Sequence, residues 1–390
     1  MMKIDPYKHK ERYLRWKESV KCGISEIGRE NSEIILRYLR DMEIGVNISS
    51  ASVKGSRGYT RLNTLKDKLI FFSKKFTTSF NLGCVTDIKE EELFQFFSDM
   101  EKGFIKKQDG TEYKSVADFV RIFKAFWHWY QKINRKKGKD ILDITTDLNA
   151  KQEKPDWVYL TEQEVKKLCN NAKYEYRVLI MFLFDSGIRS PTELMNIRVS
   201  DFFNDFKELN IREEISKTFG RRIKLMLCSD LLKEYIKTKN LKSEDYLFPI
   251  CPPVVNRYLK RLSQKIFGDE KSPAGQRYSE LTMYDFRHCS CCYWLPRYKS
   301  ESALKYRFGW KKSDKIHYYS ELLGMKDTIQ EDDMLVDITK TEIEKELERT
   351  RNENSILQEK MQLMEEQIKR INEVTAKIYG KMRKTEVIDL

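Results

Sequence analysis

The sequence predicts a mainly α-helical protein with a small β-hairpin in its second half and a coiled-coil helix in its tail. Apolar residues recur at three- and four-residue spacing between residues 31 and 135, which is typical of amphipathic helices. Two short segments, 208–216 and 222–227, flank a turn that contains Gly220, and this pattern predicts a β-hairpin. From residue 341 the apolar spacing alternates between four and three, as in a heptad repeat.

The first domain is predicted to contain four helices. The first begins at Asn31, and the second carries an apolar stripe over residues 62–76. Asp87 is suited to cap the third helix, and Ser115 begins the fourth. The surface of the fourth helix is rich in Lys and Arg, so this helix is either a candidate surface for a negatively charged partner or an ordinary amphipathic helix.

A second domain follows a polar stretch that lacks periodicity and contains Pro155. It opens with TEQE at residues 161–164, a capping-box pattern, and residues 178–184 predict a buried helix. Further helices are predicted at residues 254–266, 285–294, 303–308 and 314–323. The predicted divisions of the chain are a loosely ordered N-terminal arm (1–30), a helical domain (31–135), a linker (136–156), a second domain (157–335) and a tail (341–385).

The tail carries an apolar seam sustained for more than five heptads. With Leu357 at a d position, Asn354 falls at an a position, where a buried amide fixes register and favours two strands. We therefore expect self-association through residues 341–385, with a long helix packed on its own domain as the alternative.

Composition favours a polyanionic partner. The 390 residues carry a formal net charge of +13, yet residues 341–390 hold 10 Lys/Arg and 11 Asp/Glu, so the basic excess lies in the body of the protein. Neutralising phosphates is the main driving force of nucleic-acid binding, although a protein can also be basic without binding one.

The sequence predicts a cytoplasmic protein that needs no cofactor. It contains no apolar stretch of the ~20 residues that a membrane span requires, and its N-terminus has no apolar signal core. Its eight cysteines are mostly scattered. The dense patch HCSCC at residues 288–292 lacks the second ligand pair that zinc sites use, so small side chains on a buried helix are the simpler interpretation.

Four short segments occur in order along the second domain: DSGIRSPTEL (185–194), SKTFGRRI (216–223), LTMYDFRH (281–288), and FGW (308–310) with Tyr319 nine residues after Trp310. Behind a helical domain of the right size, they resemble the boxes of the tyrosine recombinase family, which includes phage integrases and chromosome-dimer resolvases. The resemblance covers roughly residues 31–325 and implies an all-α core-binding domain followed by an α+β catalytic domain.

Two positions depart from the family pattern. One extra residue separates Arg189 from Glu193, which leaves the supporting role of Glu193 open. Tyr284 stands where histidine is usual, and we expect its hydroxyl to assist, with packing alone as the alternative. The catalytic residues that the resemblance implies are Arg189, Lys217, Tyr284, Arg287, Trp310 and Tyr319.

These residue types suit a reaction that cuts and rejoins DNA. By the resemblance, Tyr319 attacks the scissile phosphate and forms a 3′-phosphotyrosyl link, which conserves the bond energy for rejoining. Arg189 and Arg287 clamp the phosphate, because a guanidinium donates in a planar fork and stays protonated. Lys217 protonates the leaving 5′ oxygen, and Trp310 donates its indole N–H to the phosphate.

Tyr318 is the competing nucleophile, since it is adjacent to Tyr319 and chemically identical. Successive helical residues point about 100° apart, so one of the two can face the phosphate. The spacing of nine residues from Trp310 favours Tyr319.

The resemblance implies double-stranded DNA as the partner and a tetramer on paired sites. It leaves open whether the reaction is integration, excision or resolution. One alternative is a catalytically weakened DNA-binding protein of the same fold, and another is a coiled-coil adaptor with a basic body. A metal-dependent nuclease is disfavoured, because no carboxylate cluster suited to two-metal chemistry stands out.

Overall fold

A computed structural model describes residues 3–46, 55–151, 156–298 and 300–323, and a few separate positions from residue 350 to residue 369. The described chain is mainly helical, with one small antiparallel sheet, and this confirms the predicted fold class. The helices are α1 (His9–Ser19), α2 (Arg29–Ile44), α3 (Tyr59–Phe80), α4 (Glu90–Glu101), α5 (Val116–Arg135), α6 (Glu162–Asn171), α7 (Tyr174–Ser186), α8 (Ser229–Lys239), α9 (Pro252–Phe267), α10 (Asp285–Trp294), α11 (Glu301–Phe308) and α12 (Asp314–Leu322).

Helices α1 to α5 enclose one apolar core that is dominated by aromatic rings. The ring of Phe72 on α3 is central, and its centroid lies 5.2 Å from that of Phe123 on α5 and 6.1 Å from that of Phe96 on α4. Large buried rings contribute much of the apolar area that a core removes from water. The stripes read from the sequence thus face each other in this core.

The prediction of a loosely ordered N-terminal arm is wrong for residues 9–19, which form α1 and pack on α3. The Asp5 carboxylate accepts hydrogen bonds from the backbone N–H groups of Tyr7 and His9, so it satisfies donors at the start of the helix. Tyr13 is 1% exposed. A single buried ring on an otherwise polar helix gives too weak a periodic signal to read from sequence.

Two further predictions in this half need correction. Asp87 does not cap α4, which begins at Glu90; its carboxylate accepts from the Cys84 backbone N–H in the preceding turn. Part of the predicted linker is packed structure, because Leu148 is buried in the aromatic core and Trp127 donates its indole N–H to the Leu142 carbonyl.

Residues 157–323 enclose a second apolar core, with the nearly all-apolar α7 against α6, α8 and α10. The capping box at α6 is confirmed: the Glu164 N–H donates to the Thr161 hydroxyl at 3.3 Å, and the Thr161 N–H donates to the Glu164 carboxylate at 2.7 Å. Residues 178–184 are mostly buried, as predicted.

The sheet has three strands, β1 (Phe202–Phe203), β2 (Glu208–Ile211) and β3 (Arg221–Lys224), in the order β1-β2-β3. Strands β2 and β3 pair antiparallel with Leu209 opposite Ile223. The predicted hairpin is therefore present, but its strands are shorter than predicted, and residues 212–220 form a long turn. Strand β1 was not predicted, because two residues carry no readable alternation.

The chain divides into two compact units, residues 1–323 and 324–390. The predicted coiled coil at residues 341–385 lies almost wholly outside the described residues, and of those described in it, residues 361, 364 and 368 are helical and exposed. None of the described helices combines the length and apolar character needed to cross a bilayer.

Candidate active site

The end of α7 brings the first box of the site against α11. The helix terminates at Gly187, whose φ of +58° lies in the left-handed region. A Cβ built on Gly187 would lie 2.4 Å from a ring carbon of Phe308 and 2.7 Å from the Ser290 hydroxyl. Glycine is therefore required both by the conformation and by the space, and the loop that follows carries Arg189 into the site.

Arg189 is fixed by partners from two segments. Its Nη1 donates to the Glu193 carboxylate at 2.7 Å, and its Nη2 donates to the Gly309 carbonyl at 2.9 Å. Its side chain is 13% exposed, so the group is held in place without being fully buried.

Glu193 binds both Arg189 and Arg221, despite the extra residue that separates it from Arg189 in the first box. It accepts from the backbone N–H of Arg189 at 2.9 Å and from Nη2 of Arg221 at 2.8 Å, with side-chain exposures of 1% for Glu193 and 0% for Arg221. Burial alone would raise the pKa of Glu193, but the hydrogen bond and charge of Arg221, with those of Arg189, lower it to about 2. The sequence left open whether Glu193 supports Arg189, and in the structure its carboxylate does contact Arg189.

Arg287 on α10 is more deeply enclosed, with 5% exposure. Its Nη1 donates to the Gly187 carbonyl and its Nη2 to the Phe308 carbonyl. Burial lowers the pKa of this guanidinium from its ordinary value. Arg189 is near enough for its charge to contribute to that lowering, and the two arginines donate to the adjacent carbonyls of Gly309 and Phe308.

Gly309 is the meeting point of the site. Its carbonyl accepts from Arg189 and from the Thr218 hydroxyl at 2.9 Å, and its φ is +61°. A Cβ at this position would lie 3.0 Å from that hydroxyl and 3.1 Å from Nη1 of Arg221. The second box, which contains Thr218, therefore meets the first and fourth boxes at this carbonyl, in addition to the contact between Arg221 and Glu193.

Tyr319 on α12 packs against Trp310 of the fourth box. Its ring stacks on Trp310 with a centroid distance of 5.8 Å and an interplanar angle of 14°. It is 4% exposed, and burial raises the pKa of its phenol well above the usual value. Its hydroxyl oxygen lies 2.6 Å from Nδ1 of His288, which is hydrogen-bond distance.

The neighbouring Tyr318 has a different partner. Its hydroxyl accepts a hydrogen bond from the indole N–H of Trp157 at 2.7 Å. The two adjacent phenols therefore point to different groups, as their helical positions require.

The two remaining predicted residues are exposed. Lys217 lies in the long turn between β2 and β3, directly before Thr218. Tyr284 immediately precedes α10 and is 46% exposed, and its ring meets the edge of His288 at 5.3 Å between centroids. The structure thus gathers the two arginines, Trp310 and Tyr319 around residues 308–309, with Lys217 and Tyr284 at the rim.

Three residues of this site were not singled out as functional from the sequence: Arg221, Thr218 and His288. Arg221 and Thr218 lie in the second box, but nothing in that segment distinguishes a buried arginine from a solvated one. His288 follows Arg287 directly, and the Arg-His pair was the available signal. Within the described ranges, no group of three or more His, Cys, Asp or Glu side chains is arranged to hold a metal ion.

Paired guanidinium groups beside a buried phenol are an arrangement suited to binding an anion next to a potential nucleophile. Residues 158–324 match the model of the phage integrase family. This match covers the region that holds the four boxes, and it agrees with their resemblance to the tyrosine recombinases. A comparison with curated protein sequences gives no match.

Solved structures with this fold include integrases in complex with DNA. The Tn1549 transposon integrase in complex with transposon right end DNA has a TM-score of 0.53 at 15% identity, covering 77% of this chain and 96% of that chain. A lambda integrase dimer bound to a COC′ core site has a TM-score of 0.53 at 14% identity, covering 76% and 79%. The XerH site-specific recombinase bound to palindromic difH substrate has a TM-score of 0.50 at 18% identity, covering 68% and 77%. At these identities the likeness establishes the fold alone.

Proposed function

We propose that the protein is a site-specific DNA recombinase that cleaves and rejoins DNA through a 3′-phosphotyrosyl intermediate on Tyr319. One observation carries the proposal. The guanidinium groups of Arg189 and Arg287 donate to the consecutive carbonyls of Gly309 and Phe308, and the next residue, Trp310, stacks on Tyr319. The groups proposed to bind the phosphate and the proposed nucleophile therefore contact one short segment.

In the proposed reaction the Tyr319 oxygen forms a bond to phosphorus as the bond between phosphorus and the 5′ oxygen breaks. The phenolic proton passes to a base, and the leaving 5′ oxygen takes a proton from Lys217. Negative charge gathers on the non-bridging oxygens, where two preorganised guanidinium groups stabilise it. Rejoining is the same sequence in reverse, with the 5′ hydroxyl as the nucleophile.

Charge in the helical domain supports DNA as the substrate. Lys68 on α3 lies over the ring of Phe119 on α5 and close to Arg61 and Arg121. Burial lowers the pKa of Lys68 to about 8, the two arginines add to the effect, and Asp118 opposes it. A phosphate beside these cations would relieve their repulsion. The names of the similar structures, which are DNA complexes, point the same way.

Covalent trapping tests the proposal. Nicked duplexes from the DNA that flanks the gene are incubated with wild type, Tyr319→Phe and Tyr318→Phe, and adducts are separated on a denaturing gel. We expect an adduct with wild type and with Tyr318→Phe, and none with Tyr319→Phe, since that variant lacks the attacking oxygen.

The other outcomes also discriminate. Loss of the adduct in Tyr318→Phe alone would keep the reaction and move the nucleophile by one residue. If no protein formed an adduct while a gel shift confirmed binding to the same duplex, the chain would be a DNA-binding protein that does not cut.

A further inference from the structure

We propose that His288, rather than Tyr284, accepts the phenolic proton of Tyr319 during strand cleavage. This inference rests on the proposed function and assigns its general base. It differs from the sequence interpretation, in which Tyr284 occupies the place where histidine is usual in the family and His288 has no role.

The geometry of the pair carries the inference. Nδ1 of His288 lies 2.6 Å from the Tyr319 hydroxyl oxygen, within the distance at which a phenol donates to an imidazole nitrogen. Both groups belong to helices of the same core, α10 and α12. A proton can therefore pass directly between them, with no intervening water.

The imidazole is held by rings on two sides. Trp157 stacks on it with 4.7 Å between centroids and an angle of 28°, and Tyr284 meets it edge-on at 5.3 Å. Tyr284 thus contacts the imidazole that contacts the nucleophile. On this geometry Tyr284 is a positioning residue for His288.

Chemistry also favours the imidazole. Burial raises the pKa of the Tyr319 phenol well above its usual value, so the nucleophile needs a base at neutral pH. Neutral imidazole is the side chain best suited to accept a proton in this range, whereas a second phenol is a poor acceptor. The other titratable groups that influence Tyr319 are Arg287, whose charge favours the phenolate, and Cys291, Cys292 and Tyr284, which oppose it.

The step balances as follows. The O–H bond of Tyr319 breaks and its proton joins Nδ1 of His288, giving an imidazolium with a proton on each nitrogen. The phenolic oxygen pair forms the bond to phosphorus, and the bond between phosphorus and the 5′ oxygen breaks. Lys217 supplies the proton of the 5′ hydroxyl. On rejoining, His288 returns its proton to the departing phenolate.

The test separates proton acceptance from proton donation. Two nicked duplexes are compared, one ordinary and one with sulfur in place of the bridging 5′ oxygen, because a thiolate leaves without a proton. His288→Asn keeps a hydrogen-bond acceptor near Nδ1 but cannot take up a proton. We expect it to lower the rate of adduct formation by about 10²-fold or more on both duplexes. Lys217→Ala should fail on the ordinary duplex and recover on the sulfur duplex.

A second variant guards against misfolding. In His288→Ala, exogenous imidazole can enter the vacated space, and we expect it to restore adduct formation in proportion to its concentration. Thermal unfolding and a gel shift on the same duplex establish that each variant is folded and binds DNA.

Three results would overturn the inference. The first is a rate of adduct formation in His288→Asn that equals or exceeds that of wild type. A higher rate would mean that the hydrogen bond from Tyr319 to His288 restrains the nucleophile. The second is recovery of His288→Asn on the sulfur duplex, which would place His288 on the leaving-group side. The third is a loss in Tyr284→Phe that matches the pattern expected here for His288→Asn. Failure of the proposed function is distinct, because wild type itself would then form no adduct.

Discussion

The two arginines and Lys217 are predicted to act on one phosphate, yet the protein holds them in opposite ways. Arg287 is 5% exposed and donates to two backbone carbonyls, and Arg189 is held by Glu193 and the Gly309 carbonyl. Lys217 is exposed in a nine-residue turn, residues 212–220, between two short strands. The arginine side of the site is therefore largely buried and held by several partners. On the lysine side the Lys217 side chain is exposed, while the neighbouring Thr218 anchors its turn to the Gly309 carbonyl.

The difference is consistent with the task proposed for each group. A guanidinium that stabilises charge on the phosphate is most effective when its position is fixed in advance, because no reorganisation is then needed during reaction. A proton donor has to reach the leaving oxygen, and a long turn allows that approach. Charge stabilisation therefore favours a buried network, and proton donation favours an exposed turn.

The largest effect is expected from Glu193→Gln, which breaks the arginine side. The Arg221 guanidinium, 0% exposed, would lose its carboxylate, and removing one partner of a buried ion pair typically destabilises a protein by about 3 to 5 kcal/mol. Denaturant unfolding measures the loss, and adduct formation should fall with it as Arg189 loses its anchor.

The matched control is Glu208→Gln in β2. Its carboxylate pairs with Arg222, which is 47% exposed, so we expect a change of about 1 kcal/mol or less. Equal losses in the two variants would show that the buried network contributes no more than a surface pair.

Lys217→Ala breaks the opposite side and should separate activity from stability. Adduct formation on an ordinary duplex is expected to fall by about 10²-fold or more, because general acid catalysis is lost. The free energy of unfolding should change by less than about 0.5 kcal/mol, as is usual for an exposed position.

Lys224→Ala, exposed on β3, serves as the control for Lys217→Ala. If Lys217→Ala destabilised the protein as much as Glu193→Gln, the lysine turn would contribute as much to stability as the buried arginine network, contrary to the expected difference between the two sides. Unchanged cleavage would remove Lys217 from the reaction.

The smallest expected effect is a dependence of the unfolding free energy on acidic pH, which arises from the Glu193 carboxyl on the arginine side. The pKa of Glu193 is depressed from its ordinary 4.5 to about 2, so its contribution to stability is present above about pH 4.5 and is lost as the pH falls towards 2. The difference in unfolding free energy between wild type and Glu193→Gln should narrow by about 1 kcal/mol between pH 6 and pH 4. A constant difference over that range would mean that the pKa of Glu193 is not depressed.

The sequence was sufficient for much of this fold, because long stripes of apolar residues determine α3, α5 and α7. The order of four boxes predicted the candidate site residues, and the structure brings four of them, Arg189, Arg287, Trp310 and Tyr319, together around residues 308–310. Two short elements were not predicted from the sequence, because β1 has only two residues and α1 buries a single ring. Their formation depends on tertiary contacts rather than on local pattern.

The interior of the site was not predictable for a different reason. Arg221 and Arg307 are both almost fully buried, and each pairs with a carboxylate, Glu193 and Asp185 respectively. Sequence spacing gives no sign of these pairs, because their partners are 28 and 122 residues away along the chain. His288 was visible beside Arg287, but its contact with Tyr319 depends on how α12 docks.

The Gly309 carbonyl has a consequence for the order in which the chain is synthesised. Gly309 is synthesised 120 residues after Arg189 and 91 residues after Thr218, the two residues that donate to its carbonyl. The segments that carry Arg189 and Thr218 therefore leave the ribosome before the carbonyl that orders them has been made. If the protein cleaves DNA as proposed, that capacity is complete only once α12, the last described helix, has been synthesised.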